Sequence, residues 1–139
     1  MTSILYICNP ASIHDVKWFT FFAAQSSQYK VYVVGERQNI ADFEALKKEV
    51  EASGAILLPS VETFSIRNPR NTIQSIRTLR QYCRQYHINL VHVLFASPHA
   101  LWCNYLKVPY LITTRGSDIL LVIPELLKGG YYARWLFGV

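Results

Sequence analysis

Five short runs of almost uninterrupted apolar residues recur along the chain: Ile4 to Cys8, Val31 to Gly35, Ala55 to Pro59, Leu90 to Phe95 and Tyr110 to Thr113. None alternates apolar with polar residues, as a strand with one wet face would. This pattern suits parallel strands covered on both faces, and parallel strands need crossover connections, usually helical. The intervening stretches fit that need. Val16 to Ser27 is rich in aromatics. Ile40 to Ser53 sets Phe43, Leu46 and Val50 on one stripe, and Gly54 stands where a helix C′ glycine belongs. From Asn68-Pro69 to about Tyr86, a third stripe runs through Ile73, Ile76, Leu79, Cys83 and Tyr86. Strand and helix in alternation predict right-handed βαβ units, hence an α/β, Rossmann-like doubly wound parallel sheet.

The 139 residues read as a single domain, residues 1–139, large enough to fold around its own core without disulfides or metal. Three cysteines, an odd number lying far apart with no CxxC spacing and no signal peptide ahead of them, read as reduced thiols of a cytosolic protein. The apolar runs Trp18 to Ala24 and Ile119 to Leu127 fall short of the ~20 residues that span a bilayer. Several chemistries are not written here. There is no GxGxxG after the first run, no GxxxxGK[ST], no GxSxG, and no histidine or cysteine spacing for zinc. No metal is expected.

In an open parallel sheet, ligands bind beyond the carboxyl ends of the strands. That rule selects Asn9 to His14, Ser60 to Glu62, Ala96 to His99, and Thr114 to Asp118. In the last of these, Gly116 permits a close approach or a positive φ, and Ser117 or Asp118 can cap a helix starting near Ile119. Arg115 then points over the strand ends, where its guanidinium can grip a phosphate or carboxylate. The same tetrad also reads as a capped turn with a solvated arginine. Ser12 and His14 precede the first helix, where a neutral imidazole is favoured. Ser97 and His99 stand at the mouth, and Pro98 between them is also good helix-starting chemistry. His92, inside an apolar run, reads as a satisfied core histidine.

The net charge of +5 suits an anionic partner. Arg77, Arg80 and Arg84 share one face of the third helix, with Arg67 and Arg70 close by. This row is either a solvated face or a basic patch resting on an anionic membrane surface. Nucleic acid is not expected, because the aromatics fall on core faces instead of interleaving with the arginines.

Three blocks resemble one family. They are Ser12-Ile13-His14 with Lys17-Trp18, then Leu90 to Val93 running into Phe95 to His99, and Val108 to Ile119 with its Arg115-Gly116-Ser117-Asp118. Together they resemble the amino-terminal domain of retaining glycosyltransferases of the family-4 type, which have the GT-B architecture of two Rossmann-like domains. The chain departs from many relatives at Pro10-Ala11-Ser12, at Leu94 and at Arg115. The resemblance implies an acceptor-side domain, with Ser12, His14, Ser97, His99 and the turn from Arg115 to Asp118 binding substrate. It singles out no catalytic residue.

By the same resemblance, the co-substrate is a nucleotide sugar and the acceptor a sugar or a lipid-linked group. The donor-gripping glutamates belong to a carboxy-terminal domain absent from these residues, so a second domain or a separate donor-binding chain is implied. The fragment alone is then expected to be inactive. The aromatic segment Tyr131 to Val139 fits that picture, since such an end wants a surface to cover it. A cytoplasmic location, peripheral at the inner membrane surface, is expected. The competing expectation is a non-catalytic α/β module that binds a phosphorylated or glycosylated ligand.

Overall fold

The computed structural model describes residues 1–8, 12–37, 40–62, 67–94, 99–114 and 128. The strands are β1 (Thr2–Cys8), β2 (Tyr29–Gly35), β3 (Ile56–Leu57), β4 (Leu90–Val93) and β5 (Tyr110–Ile112). Between them run α1 (Ile13–Ala23), α2 (Ile40–Ser53), α3 (Pro69–Gln85) and α4 (His99–Leu106). All pairings are parallel and the strand order is β3-β2-β1-β4-β5. The chain winds outward from β1 to β3, then returns past β1 to place β4 on its other side.

Alternation along the strands divides the core in two. Leu5, Ile7, Tyr32, Val34, Val91 and Val93 pack with Leu79, Tyr82 and Cys83 of α3 and with Trp102, Cys103 and Leu106 of α4. Ile4, Tyr6, Cys8, Val31 and Val33 pack with Phe19 and Ala23 of α1 and Val50 of α2. Both faces of the sheet are covered, which is why its strands carry no polar alternation.

The edges depart from expectation for local reasons. β3 stops at Leu57, where the apolar run reaches Pro59: Leu58 still donates to Val33, but proline has no N–H with which to extend the ladder. α1 begins at Ile13 instead of Val16, with Ser12 in the extended conformation of a cap residue. α4 was signalled only by Pro98 as a helix-starting residue, with no range. It buries Trp102, Cys103 and Leu106 on one stripe.

Gly54 has φ +81 directly after α2, as expected of a C′ residue. α3 opens on Pro69 at its first turn. It closes with Ile88 N–H donating to the Cys83 carbonyl and with His87 in the left-handed region at φ 49, a Schellman end that lacks the usual glycine. Ile73 does not join the buried stripe and is 49% exposed, while Ser75 and Tyr82 take that face instead. The side chains of Phe43 and Leu46 lie outside those described. Cys8, Cys83 and Cys103 are free and buried. Burial pushes their thiols up to about 12, about 11 and about 12 respectively, so they stay protonated at neutral pH.

Candidate functional site

The strand order fixes where a ligand would go. Connections leave β1 toward β2 on one side, and the chain later returns to β4 on the other, so a crevice opens beyond the carboxyl ends of β1 and β4. Ser12 and His14 stand at this edge at the start of α1, and His99 opens α4 there. Thr113 and Thr114 follow β5 beside it, Thr113 still donating to the Val93 carbonyl. The loop Ser60 to Glu62 belongs elsewhere: β2 separates it from the crevice, and Glu62 is tied to Arg37 at 2.7 Å. Ser97 and Arg115, Gly116, Ser117 and Asp118 lie outside the described residues, as do Pro98 and Tyr131 to Val139. His14 is exposed.

Beneath the crevice, on the α1 face, sits a polar and aromatic cluster that motif reading left largely unassigned. His92 is 3% exposed, and its Nε2 lies 2.7 Å from Thr113 Oγ1. The imidazole stands between the Tyr6 ring, with centroids 4.9 Å apart, and the Trp18 ring, 5.4 Å away and near edge-on. Burial pushes its pKa down to about 4, so the ring is neutral at physiological pH. The expectation of a satisfied core histidine holds, and its partner is the residue from which the Thr114-to-Asp118 segment departs.

The hydroxyls of Tyr6 and Ser12 are buried and without hydrogen-bond partners among the described residues. Ser12 occupies the cap position of α1 without making a side-chain cap bond; its carbonyl instead accepts from Asp15 N–H at 3.1 Å. Burial, helped by nearby Tyr29, raises the Tyr6 phenol well above its usual range, so it remains a neutral donor. Asp15 is 1% exposed in the first turn of α1, where the helix dipole favours a carboxylate. A tyrosine inside an aliphatic strand was the available signal for Tyr6. For Asp15 there was none, because spacing does not say which face of α1 turns inward.

Chemically, the edge offers hydroxyls and the N-terminus of α1, with the neutral imidazole of His92 buried beneath them, a set suited to hydrogen-bonding a polyhydroxylated or anionic ligand. Among the described residues, no group of histidine, cysteine or acidic side chains could hold a metal ion, and no helix is long and apolar enough to cross a membrane.

A doubly wound parallel sheet with its polar groups gathered at the switch point defines a Rossmann-like domain. This chain belongs to the glycosyl transferase 4-like family, whose model matches residues 3–136. No curated protein sequence matches it significantly. Among solved structures it is similar to MurG of Acinetobacter baumannii, with TM-score 0.58 and 13% identity, covering 82% of this chain and 34% of MurG. It is also similar to the spinosyn forosaminyltransferase SpnP, with TM-score 0.55 and 14% identity over 97% of this chain and 40% of that one. The glycotransferase of kitacinnamycin is a further neighbour, at TM-score 0.50 and 12% identity, covering 92% and 35% respectively. The fold is that of the amino-terminal GT-B domain which the three sequence blocks resemble, and the chain spans only 34% to 40% of these enzymes.

Proposed function

We infer that this chain is the acceptor-side domain of a nucleotide-sugar-dependent glycosyltransferase, and that transfer takes place at the crevice beyond β1 and β4. The observation that carries the reading is the gathering of Ser12, His14, Thr113 and Thr114 at that crevice, in a chain of the glycosyl transferase 4-like family. The nucleotide of the donor is held by a second domain or a separate donor-binding chain, and these residues alone do not turn over. Ser12, His14, Ser97, His99 and the turn Arg115 to Asp118 face the substrates. The leaving group is a nucleoside diphosphate, and Arg115 meets its developing charge, so no metal is required. The acceptor is a sugar or a lipid-linked group, and the reaction takes place in the cytoplasm at the inner membrane surface.

The test joins this chain to a donor-binding domain and follows label from nucleotide sugars into product. Arg115→Ala should lower kcat by roughly a hundredfold, the usual effect of removing one donor to developing charge. Asp118→Ala should lower turnover as well. Unchanged turnover in both variants would refute the site assignment. Saturable binding of glycosylated ligands by the isolated chain, with no transfer after joining, would favour a non-catalytic binding module.

A further inference from the structure

Helix α3 carries Arg70, Arg77, Arg80 and Arg84 and has no acidic residue anywhere along its 17-residue length. Arg67 precedes it and is exposed, as are Arg70, Arg77 and Arg84, while Arg80 is partly buried. At about 100° per residue, Arg70, Arg77, Gln81 and Arg84 fall on one line down the helix, with Ile73, Gln74, Arg80 and Gln85 flanking it. The opposite side holds the buried Ser75, Leu79, Tyr82 and Cys83. Arg77, Arg80, Gln81, Arg84 and Gln85 line an open depression. The ion pair of Arg37 with Glu62 engages none of these five arginines.

Uncompensated like charges on one face are kept apart by repulsion, and they are stabilised when an extended anion meets them. The shape of the row says what kind. From Arg70 to Arg84 it runs about 21 Å along the helix, far longer than a single phosphate or diphosphate can bridge. A surface dense in phosphates matches that length. The apolar group within the row is aliphatic Ile73, half exposed, while Tyr82 and Tyr86 turn inward to the core. A nucleic acid gains from aromatic rings on which bases stack, and this face presents none. Basic residues beside an exposed aliphatic side chain suit the headgroup and acyl boundary of a bilayer.

We propose that the arginine face of α3 is a docking surface for a bilayer rich in anionic phospholipid. α3 follows the Ser60-to-Glu62 stretch, so its Arg70 end lies toward the carboxyl edge of the sheet, the edge that carries the crevice. A bilayer docked there covers the face of the sheet opposite α1 and reaches the same edge of the sheet as the crevice. Lipid binding of this kind needs no sugar donor, so its failure would remove the membrane-surface location and leave the sugar-transfer reading untouched.

The experiment is co-sedimentation of the 139-residue chain with vesicles of phosphatidylcholine alone and of phosphatidylcholine with phosphatidylglycerol. Binding should require the anionic lipid and weaken as salt rises. Replacing Arg77, Arg80 and Arg84 with Gln should lower the partition coefficient by roughly fivefold per arginine, on the order of a hundredfold together. The same residues changed to Lys should retain most of the binding, because a surface reads charge and not a guanidinium fork. A control that removes as much charge elsewhere, Lys30, Lys47 and Lys48 to Gln, should retain it as well.

Equal binding to both vesicle types would overturn the proposal. So would an arginine-to-glutamine variant that binds like the parent, or a control that loses as much as that variant. Loss in the lysine variant would point instead to a discrete phosphate site, and preference for duplex DNA over the anionic vesicles would point to nucleic acid.

Discussion

The two faces of the sheet are cut from the same strands, yet they treat buried polar groups differently. On the α3 and α4 face, Tyr82 donates its hydroxyl to the Pro59 carbonyl at 3.0 Å, and Ser75 donates to the Glu62 carbonyl at 2.8 Å. Both bonds tie α3 to the loop after β3, which β2 separates from the crevice. On the α1 face, the Tyr6 and Ser12 hydroxyls have no partner among the described residues, and His92 finds its partner in Thr113, just past β5. An unmade hydrogen bond on a buried group costs about 1–3 kcal/mol. A fold tolerates that cost most readily where a ligand or ordered water completes the bond, so under the proposed function the α1 face is the working side and the α3 face the structural one.

The largest test of this contrast uses pH. His92 has its pKa pushed from 6.5 down to about 4, so in the window between those values the unfolded chain binds a proton that the folded chain excludes. Stability therefore falls as pH drops from 6.5 toward 4, and the full benefit of the neutral ring is present above 6.5. The loss attributable to this one group is about 3 kcal/mol. Urea unfolding of the parent and of His92→Gln at pH 7 and pH 4 measures it: the parent should lose that much more than the variant. Equal losses would show that His92 is not held neutral, and the α1 face would lose its distinguishing group.

How much of this was legible depends on whether the signal is local. The strands were readable because a parallel strand covered on both faces must be apolar throughout. α2 was readable because Gly54 closes it. The extent of α4 was not, since Trp102, Cys103 and Leu106 sit among other apolar residues and a short buried helix has no polar face to give it a period. The crevice followed from strand order and the loop rule, so Ser12 and His14 could be placed. The cluster beneath it could not. Ser3 and Asn89 share a hydrogen bond across 86 positions, and only that long-range pairing of β1 with β4 sets Tyr6 beside His92. Arg115 to Asp118, the part of the last block that most strongly carried the family resemblance, lies outside the described residues, so in that block motif and geometry meet from Val108 to Thr114.

A smaller test exchanges one hydroxyl on each face. Tyr82→Phe removes a made bond and strands the Pro59 carbonyl, and should cost about 1 kcal/mol in urea unfolding. Tyr6→Phe removes a buried hydroxyl with no partner among the described residues, and should be neutral or stabilising by about 1 kcal/mol. The two phenylalanine variants thus move in opposite directions although the chemistry deleted is the same. A cost at Tyr6 equal to that at Tyr82 would mean its hydroxyl is already satisfied, and the contrast between the faces would collapse.

The smallest test repeats the logic with serine. A serine at a helix cap ordinarily contributes about 1 kcal/mol through its side-chain bond to the first turn. Ser12 stands at that position without making the bond. Ser12→Ala should therefore leave the unfolding midpoint within a few tenths of a kcal/mol of the parent, whereas Ser75→Ala, which loses the bond to the Glu62 carbonyl, should cost about 1 kcal/mol. If Ser12→Ala costs as much as an ordinary cap, the hydroxyl is occupied in stabilising α1 and is not free to meet a ligand. If it costs nothing, the serine at the mouth of the crevice has no structural task, and sugar binding is the measurement in which its removal should be felt.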